Sequence, residues 1–102
     1  MIIVYTVTAT EEEAERIGRL ALERHLCACI NLVPGMRSMF WWEGRLEQAR
    51  ECILLLKTGA EQYPALEKLV RETHSYDVPS IFSVPVEQVS PEYQAWLQNA
   101  LK

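Results

Sequence analysis

An α+β fold of the ferredoxin-like, split-βαβ kind, with an extended β-hairpin and a short C-terminal helix, is predicted by three features of the chain. Its apolar residues alternate between strand-like and helix-like periods in the order β-α-β-β-α-β, its two central strands are far longer than its helices, and Ser90-Pro91 opens one more helix after the last strand. At 102 residues, 49% of them hydrophobic, the chain suits a single domain, residues 1–102.

Residues 2–8, Ile-Ile-Val-Tyr-Thr-Val-Thr, read as a short and nearly continuous apolar strand. Thr10 caps the following helix, with Glu13 in the reciprocal capping-box position and Glu11 and Glu12 near the positive end of the helix dipole. Ala14, Ile17, Gly18, Ala21 and Leu22 form the apolar stripe of a helix lying on a sheet. From Cys27 to Val33 the pattern is β-like, Pro34-Gly35 interrupts it with a bend or bulge, and Met36 to Trp42 resumes extended character. Glu43-Gly44 supplies a turn before a second long run, Arg45 to Lys57. Thr58 is the expected cap of the second helix, with Glu61 three residues on, and Tyr63, Leu66, Leu69 and Val70 recur on one face. Pro64 falls in the first turn or so, where its missing amide costs least. His74 to Pro79 leads into a final strand around Ile81 to Val86, and Ser90 caps a helix bearing Tyr93, Trp96, Leu97 and Leu101.

Right-handed crossovers place both long helices on one face of the sheet and leave the other uncovered. The runs 29–42 and 45–57 each reach roughly 40 Å when extended, against about 20 Å for the helices, so the hairpin projects past its own domain. Met36, Met39, Phe40, Trp41 and Trp42 make that projection apolar on more than one side. Such a ribbon aggregates unless it packs against other copies, and a closed homo-oligomer is expected. A domain this small buries only about 60 to 65% of its unfolded surface, which points the same way.

Ten Lys and Arg, scattered without a block, stand against fourteen Asp and Glu, for a net charge of −4. That distribution argues against nucleic acid or an anionic membrane as partner, because phosphate binding needs a concentrated positive footprint. The first residues lack a basic leader and a cleavage site, and no run approaches the roughly 18 apolar residues of a spanning helix, so a cytoplasmic location is expected. The three cysteines, Cys27, Cys29 and Cys52, are an odd number and suggest free thiols.

Thiolate and imidazole suit copper, zinc or nickel, which makes Cys27, Cys29, Cys52, His25 and His74 the candidate metal ligands. On a straight strand Cys27 and Cys29 would face the same way, unlike the compact loops of structural zinc sites, and small buried thiols in a sheet–helix core are the competing reading. His25 is placed to meet the last carbonyls of the first helix, and His74 either caps the second helix or joins groups of another copy in a surface site. Lys57 near Tyr76 offers a site for a small anion at a cleft between subunits, while Trp41 and Trp42 suit an interface or a ligand wall. Asn31 and Ser38 fit backbone satisfaction where the hairpin bends. No nucleophile and base carry a third, orienting group, so a nonenzymatic role is expected.

The segments Ala28-Cys29-Ile30-Asn31-Leu32, Ser38-x-Phe40-x-Trp42-x-Gly44, Lys57-Thr58 and His74-Ser75-Tyr76-Asp77-Val78-Pro79, with Tyr93 and Trp96, together resemble the CutA family of divalent-cation tolerance proteins. The resemblance implies a ferredoxin-like subunit, a homotrimer built through extended strands, an architecture similar to PII signalling proteins, and association with tolerance of copper or other divalent cations. It also implies metal binding, for which Cys29, His74 and Cys27 are the candidates, with no metal needed for folding. An alternative is a PII-like module that binds a small ligand or protein at clefts between subunits, with Lys57, Tyr76, Trp42 and Asn31 as candidates. Ser75 stands where the family commonly has proline, and Ser80 where a glutamate often follows Pro79, so a charged role there does not transfer.

Overall fold

Strand β1 (Ile2–Thr8), helix α1 (Glu11–Glu23), strands β2 (Cys29–Trp42) and β3 (Arg45–Thr58), helix α2 (Tyr63–Thr73), strand β4 (Ile81–Pro85) and helix α3 (Pro91–Ala100) follow one another in the computed structural model, which describes residues 1–102. The sheet order is β2-β3-β1-β4 with every neighbouring pair antiparallel, the α+β arrangement expected for a split βαβ unit. No helix is long and apolar enough to cross a membrane.

Alternation along the central strands decides what lies beneath the helices. Val4, Thr6 and Thr8 of β1 and Cys52, Leu54, Leu56 and Thr58 of β3 are buried, and the aliphatic ones pack against Ala14, Ile17 and Ala21 of α1 and Leu66, Leu69 and Val70 of α2. Each fully buried aliphatic side chain contributes about 1.5 to 3 kcal/mol through apolar burial. Gly18 allows α1 its close approach, since a Cβ there would meet Ile30 Cδ1 of β2 at 2.5 Å.

Helix ends follow local chemistry where the expected partner is near. Thr10 Oγ1 accepts from Glu13 N–H at 3.1 Å, and Ser90 Oγ accepts from Tyr93 N–H at 3.3 Å. Helix α1 closes in a Schellman motif, with His25 at φ 55° and bonds from His25 N–H to Leu22 O and Leu26 N–H to Ala21 O.

Three junctions differ from the sequence expectation. Cys27 precedes β2 rather than opening it, because the chain is still leaving the Schellman turn, and its side chain enters the helix-side core. Thr58 ends β3 and donates its hydroxyl to Leu26 O at 2.7 Å, so it ties the strand to that connection instead of capping α2. A short 3₁₀ turn, Ala60–Gln62, leads into α2, which has no side-chain cap and carries Pro64 in its first turn. The last strand stops at Pro85, although Val86 N–H still reaches Met1 O at 3.2 Å.

The hairpin of β2 and β3 gives the molecule its 45 Å long axis. Its tip is a two-residue turn with Glu43 at φ 51° and Gly44 at φ 76°, the type I′ geometry whose twist matches the flanking strands. Register breaks between Val33 and Met36, where Pro34 and Gly35 stand opposite Cys52 alone, and Gly35 takes φ 75°. Of the bend or bulge expected at Pro34-Gly35, the bulge is the one that forms.

Because one extra residue is inserted, the parity of β2 changes at the bulge. Cys29, Asn31 and Val33 share the helix-free face with their partners Lys57, Leu55 and Ile53; beyond the bulge Met36, Ser38, Phe40 and Trp42 join that face, opposite Glu51, Ala49, Glu47 and Arg45. No helix covers it. Phe82 and Val84 of β4 and Val33 of β2 are roughly half exposed there, and Tyr5 stacks on Phe82 with ring centroids 4.8 Å apart.

Candidate functional site

The turn after α2 carries the densest polar network of the chain. His74 ends the helix in extended conformation with its side chain fully buried, and its N–H caps Val70 O. Its Nε2 lies 2.7 Å from Val7 O, a carbonyl that only accepts, so Nε2 bears the proton. Its Nδ1 accepts from Tyr76 N–H at 3.1 Å. The imidazole is therefore neutral with both nitrogens engaged.

Glu13 holds the turn from the side of α1. It accepts from Ser75 N–H at 2.7 Å and from Ser75 Oγ at 3.0 Å instead of returning to its own helix start, so only half of the expected capping box forms. Burial opposes its ionisation, but the backbone and side-chain bonds from Ser75 outweigh that and lower its pKa below the ordinary carboxyl value. Arg16 stands 3.9 Å from the same carboxylate.

Tyr76 continues the network to β3 by donating its hydroxyl to Glu51 Oε2 at 2.6 Å. Burial, then the bond to Glu51 and its charge, push the phenol well above its ordinary range. Glu51 is only 7% exposed and, by strand parity, projects from the helix-free face. Its strand position lies one residue past the last β1 pair, Thr8 with Cys52, so the Tyr76 turn covers it where β1 no longer does.

Between that turn and the root of the hairpin arm lies a cleft of about 810 Å³. Tyr76, Asp77, Val78 and Ser80 form one wall, and the arm supplies Phe40, Trp42, Glu47 and Glu51 among others. Of the four residues expected at clefts between subunits, Tyr76 and Trp42 both line this cleft within the single chain. Lys57 and Asn31 lie elsewhere: six residues along β3 separate Lys57 from Glu51, about 20 Å of strand, and Asn31 pairs with Leu55. Lys57 Nζ rests instead 5.8 Å from the ring centroid of Tyr93, which stacks on Trp96 in α3.

The metal candidates are dispersed within one chain. Cys27 is 2% exposed, and burial together with the nearby Cys29 pushes its thiol up to about 12. Cys29 is half-buried on the helix-free face, with its thiol 3.7 Å from Ile30 O, so the two sulfurs do not share a side as a straight strand would require. Val7, which His74 meets, pairs with Ile53, whereas Cys29 pairs with Lys57, an offset of about 13 Å along the sheet. Cys52 is a core thiol donating to Ile53 O at 3.6 Å, and His25 Nδ1 lies 3.1 Å from Ala100 O of α3 rather than meeting its own helix. No group of three or more His, Cys, Asp or Glu side chains is placed to hold a metal ion.

Glu13 and Glu51 are the site residues that sequence reasoning missed. Glu13 fits a capping box too well to suggest another use, and Glu51 adjoins the apolar run 52–56 on the parity of Ile53 and Leu55, where a lone carboxylate beside that run is the available signal.

A family model described as CutA1 divalent ion tolerance protein matches residues 2–100. The divalent-cation tolerance protein CutA of Thermotoga maritima is 40% identical over 101 residues, covering 99% of this chain and 99% of that protein. The chloroplastic protein CutA 1 of rice is 34% identical across 99% of this chain, which spans only 57% of the rice protein's length. A solved structure from Archaeoglobus fulgidus, described as a periplasmic divalent cation tolerance protein CutA, superposes with a TM-score of 0.96 at 36% identity, covering both chains fully.

Proposed function

This chain belongs to the CutA1 divalent ion tolerance family, and from that premise we propose that it serves tolerance of copper and other divalent cations as a nonenzymatic homotrimer with weak metal binding. The observation that carries the assembly is the uncovered sheet face, where Val33, Phe82 and Val84 remain about half exposed, continuing into an arm on which Met39, Trp41 and Leu46 are more exposed still. An apolar surface of that extent on a small domain seeks a partner, and edge strands β2 and β4 offer backbone groups for pairing. Cys29 lies on the same face, so copies meeting there bring their thiols toward a shared surface. Copper suits such thiols by softness. Cys27 and His74 enter a metal site only by leaving the core and by releasing the bonds to Tyr76 and Val7, respectively. No metal is needed to complete the core, and the three free thiols favour a cytoplasmic setting.

Sedimentation at micromolar concentration is expected to give a species of three chains. Calorimetric titration of the reduced, tag-free protein with Cu(I), Cu(II) and Zn(II) is expected to show saturable uptake that Cys29→Ser diminishes. A stable single chain refutes the assembly, and lack of saturable uptake refutes direct binding.

A second reading, a PII-like module that takes a small ligand, is favoured by one separate observation: the cleft that Tyr76 and Trp42 line together. Binding there tests it, and Trp42→Ala is expected to weaken any ligand that uses it.

A further inference from the structure

We propose that the hydrogen bond from Tyr76 to Glu51 is a clasp that presets the angle of the hairpin arm for packing against sister copies. The inference rests on the assembly proposed above and names the contact inside each chain on which that assembly depends.

Little else holds the arm. The last pair of β1 with β3 is Thr8 with Cys52, and beyond it β2 and β3 run on with no third strand beside them. A two-stranded ribbon is marginally stable at best on its own. None of residues 36–51 belongs to the apolar core. Apart from the ladder between β2 and β3, the bond from the Tyr76 hydroxyl to Glu51 Oε2, at 2.6 Å, is the only hydrogen bond or ion pair that ties residues 36–51 to the rest of the chain.

The arm also has a pivot. The bulge at Pro34-Gly35 stands opposite Cys52, so the ladder is disrupted where the support of β1 ends. Gly35 sits at φ 75° with nothing within 4 Å of the place a Cβ would take, so no neighbour steadies the bulge at that point. From Cys52 to Gly44 the arm reaches about 26 Å, and a swing of about 10° carries its tip about 4 to 5 Å. Met39, Trp41 and Leu46, the side chains that association buries, ride on that length. Interfaces pack as densely as protein interiors, so an arm displaced that far does not seat, and ordering a loose arm at the moment of association weakens binding.

The post that carries the clasp is itself fixed from the domain. His74 Nε2 donates to Val7 O of β1 at 2.7 Å, Ser75 donates its N–H and its hydroxyl to Glu13 of α1, and Tyr76 N–H donates to His74 Nδ1 at 3.1 Å. Glu51 adjoins Cys52, so the bond restrains the arm at its root, and the paired strands carry the angle set there to the tip.

The test uses four full-length proteins: the wild type; Tyr76→Phe; Glu51→Gln, which keeps an acceptor for the phenol; and Thr58→Val, which removes a 2.7 Å bond at the far end of β3. Each is unfolded in urea and returned to buffer at several chain concentrations, and tryptophan fluorescence separates the concentration-dependent association phase from folding. Loss of a bond to a charged group is expected to slow that phase at least roughly tenfold in Tyr76→Phe and to raise the chain concentration of half-assembly in sedimentation by a similar factor. Glu51→Gln and Thr58→Val should stay within about twofold of the wild type. If Tyr76→Phe does not fold, Glu51→Leu, which removes the acceptor together with its charge, carries the same comparison. A wild type that sediments as a single chain refutes the assembly and this inference with it. An assembling wild type from which Tyr76→Phe differs no more than Thr58→Val does overturns the clasp and leaves the assembly standing, and so does equal slowing by Glu51→Gln, which assigns the effect to charge and not to the bond.

Discussion

Replacing Tyr76 by Phe removes one oxygen and leaves the ring, with its 4.8 Å approach to His74, in place. What is lost is the 2.6 Å bond to Glu51, and what remains is a carboxylate 7% exposed with no donor from the protein. Hydrogen bonds to charged groups contribute about 1.5 to 3 kcal/mol net, and the cleft admits water to compensate in part, so a loss of about 2 kcal/mol is expected. With a urea dependence of about 2 kcal/mol per molar, the unfolding midpoint falls by about 1 M. Glu51→Gln keeps an acceptor for the phenol and removes the buried charge, so its own loss is smaller, about 1 kcal/mol. The double variant loses less than the two singles together, by a coupling of about 1 to 2 kcal/mol, because Tyr76→Phe no longer strands a charge. Urea unfolding of the four proteins at one chain concentration measures this; the concentration is fixed because self-association would shift every midpoint. A midpoint change below about 0.2 M for Tyr76→Phe, or strict additivity, refutes the view that Tyr76 neutralises an otherwise unsupported Glu51.

Other expectations follow from single contacts. Glu13 titrates below its ordinary value in the folded chain, so its ionised form stabilises the fold above about pH 4.5 and that contribution disappears as pH falls from there through the lower folded value; Glu13→Gln should flatten this limb of a stability–pH curve. Thr58→Val keeps the shape but strands Leu26 O, and should lower stability by about 1 to 2 kcal/mol in urea unfolding. Gly44→Ala meets no side chain, yet its φ of 76° should make it about 1 kcal/mol less stable by the same measurement. Cys27, with its thiol pushed up to about 12, should resist iodoacetamide at pH 8 while folded and react once urea unfolds the chain, as followed by mass spectrometry.

The order of elements was legible because each long segment has one dominant period. Ile2 to Thr8, the stripe on α1 and the face of α2 all appear where apolar spacing places them, and the uncovered sheet face follows from two right-handed crossovers. Junctions were less legible because a polar residue there has two uses that look alike in sequence. Thr58 before Glu61 has the spacing of a cap, yet its hydroxyl reaches Leu26, a residue 32 positions away. Glu13 has the spacing of a capping box, yet its carboxylate reaches Ser75, at a separation of 62. Local pattern carries no information about a bond whose partner arrives only when the sheet has formed.

The site depends on one such nonlocal fact, the parity of the arm. Counted along an uninterrupted strand, Trp41 would share the face of Cys29 and Trp42 would turn away. The bulge adds a residue opposite Cys52, so Trp42, Phe40 and Ser38 come round to the face of Glu51, and Trp41 leaves it. Exposure agrees with that assignment, at 73% for Trp41 and 48% for Trp42. Pro34-Gly35 announces a bend in the sequence without saying whether it inserts a residue, and the difference reverses every side chain beyond it. The insertion occurs where β1 ends its pairing with β3, so the arm changes parity as it loses the support of its own sheet. The same step therefore frees the arm to project and aims Phe40 and Trp42 at the turn that holds Tyr76, which is why the cleft forms at the root of the hairpin.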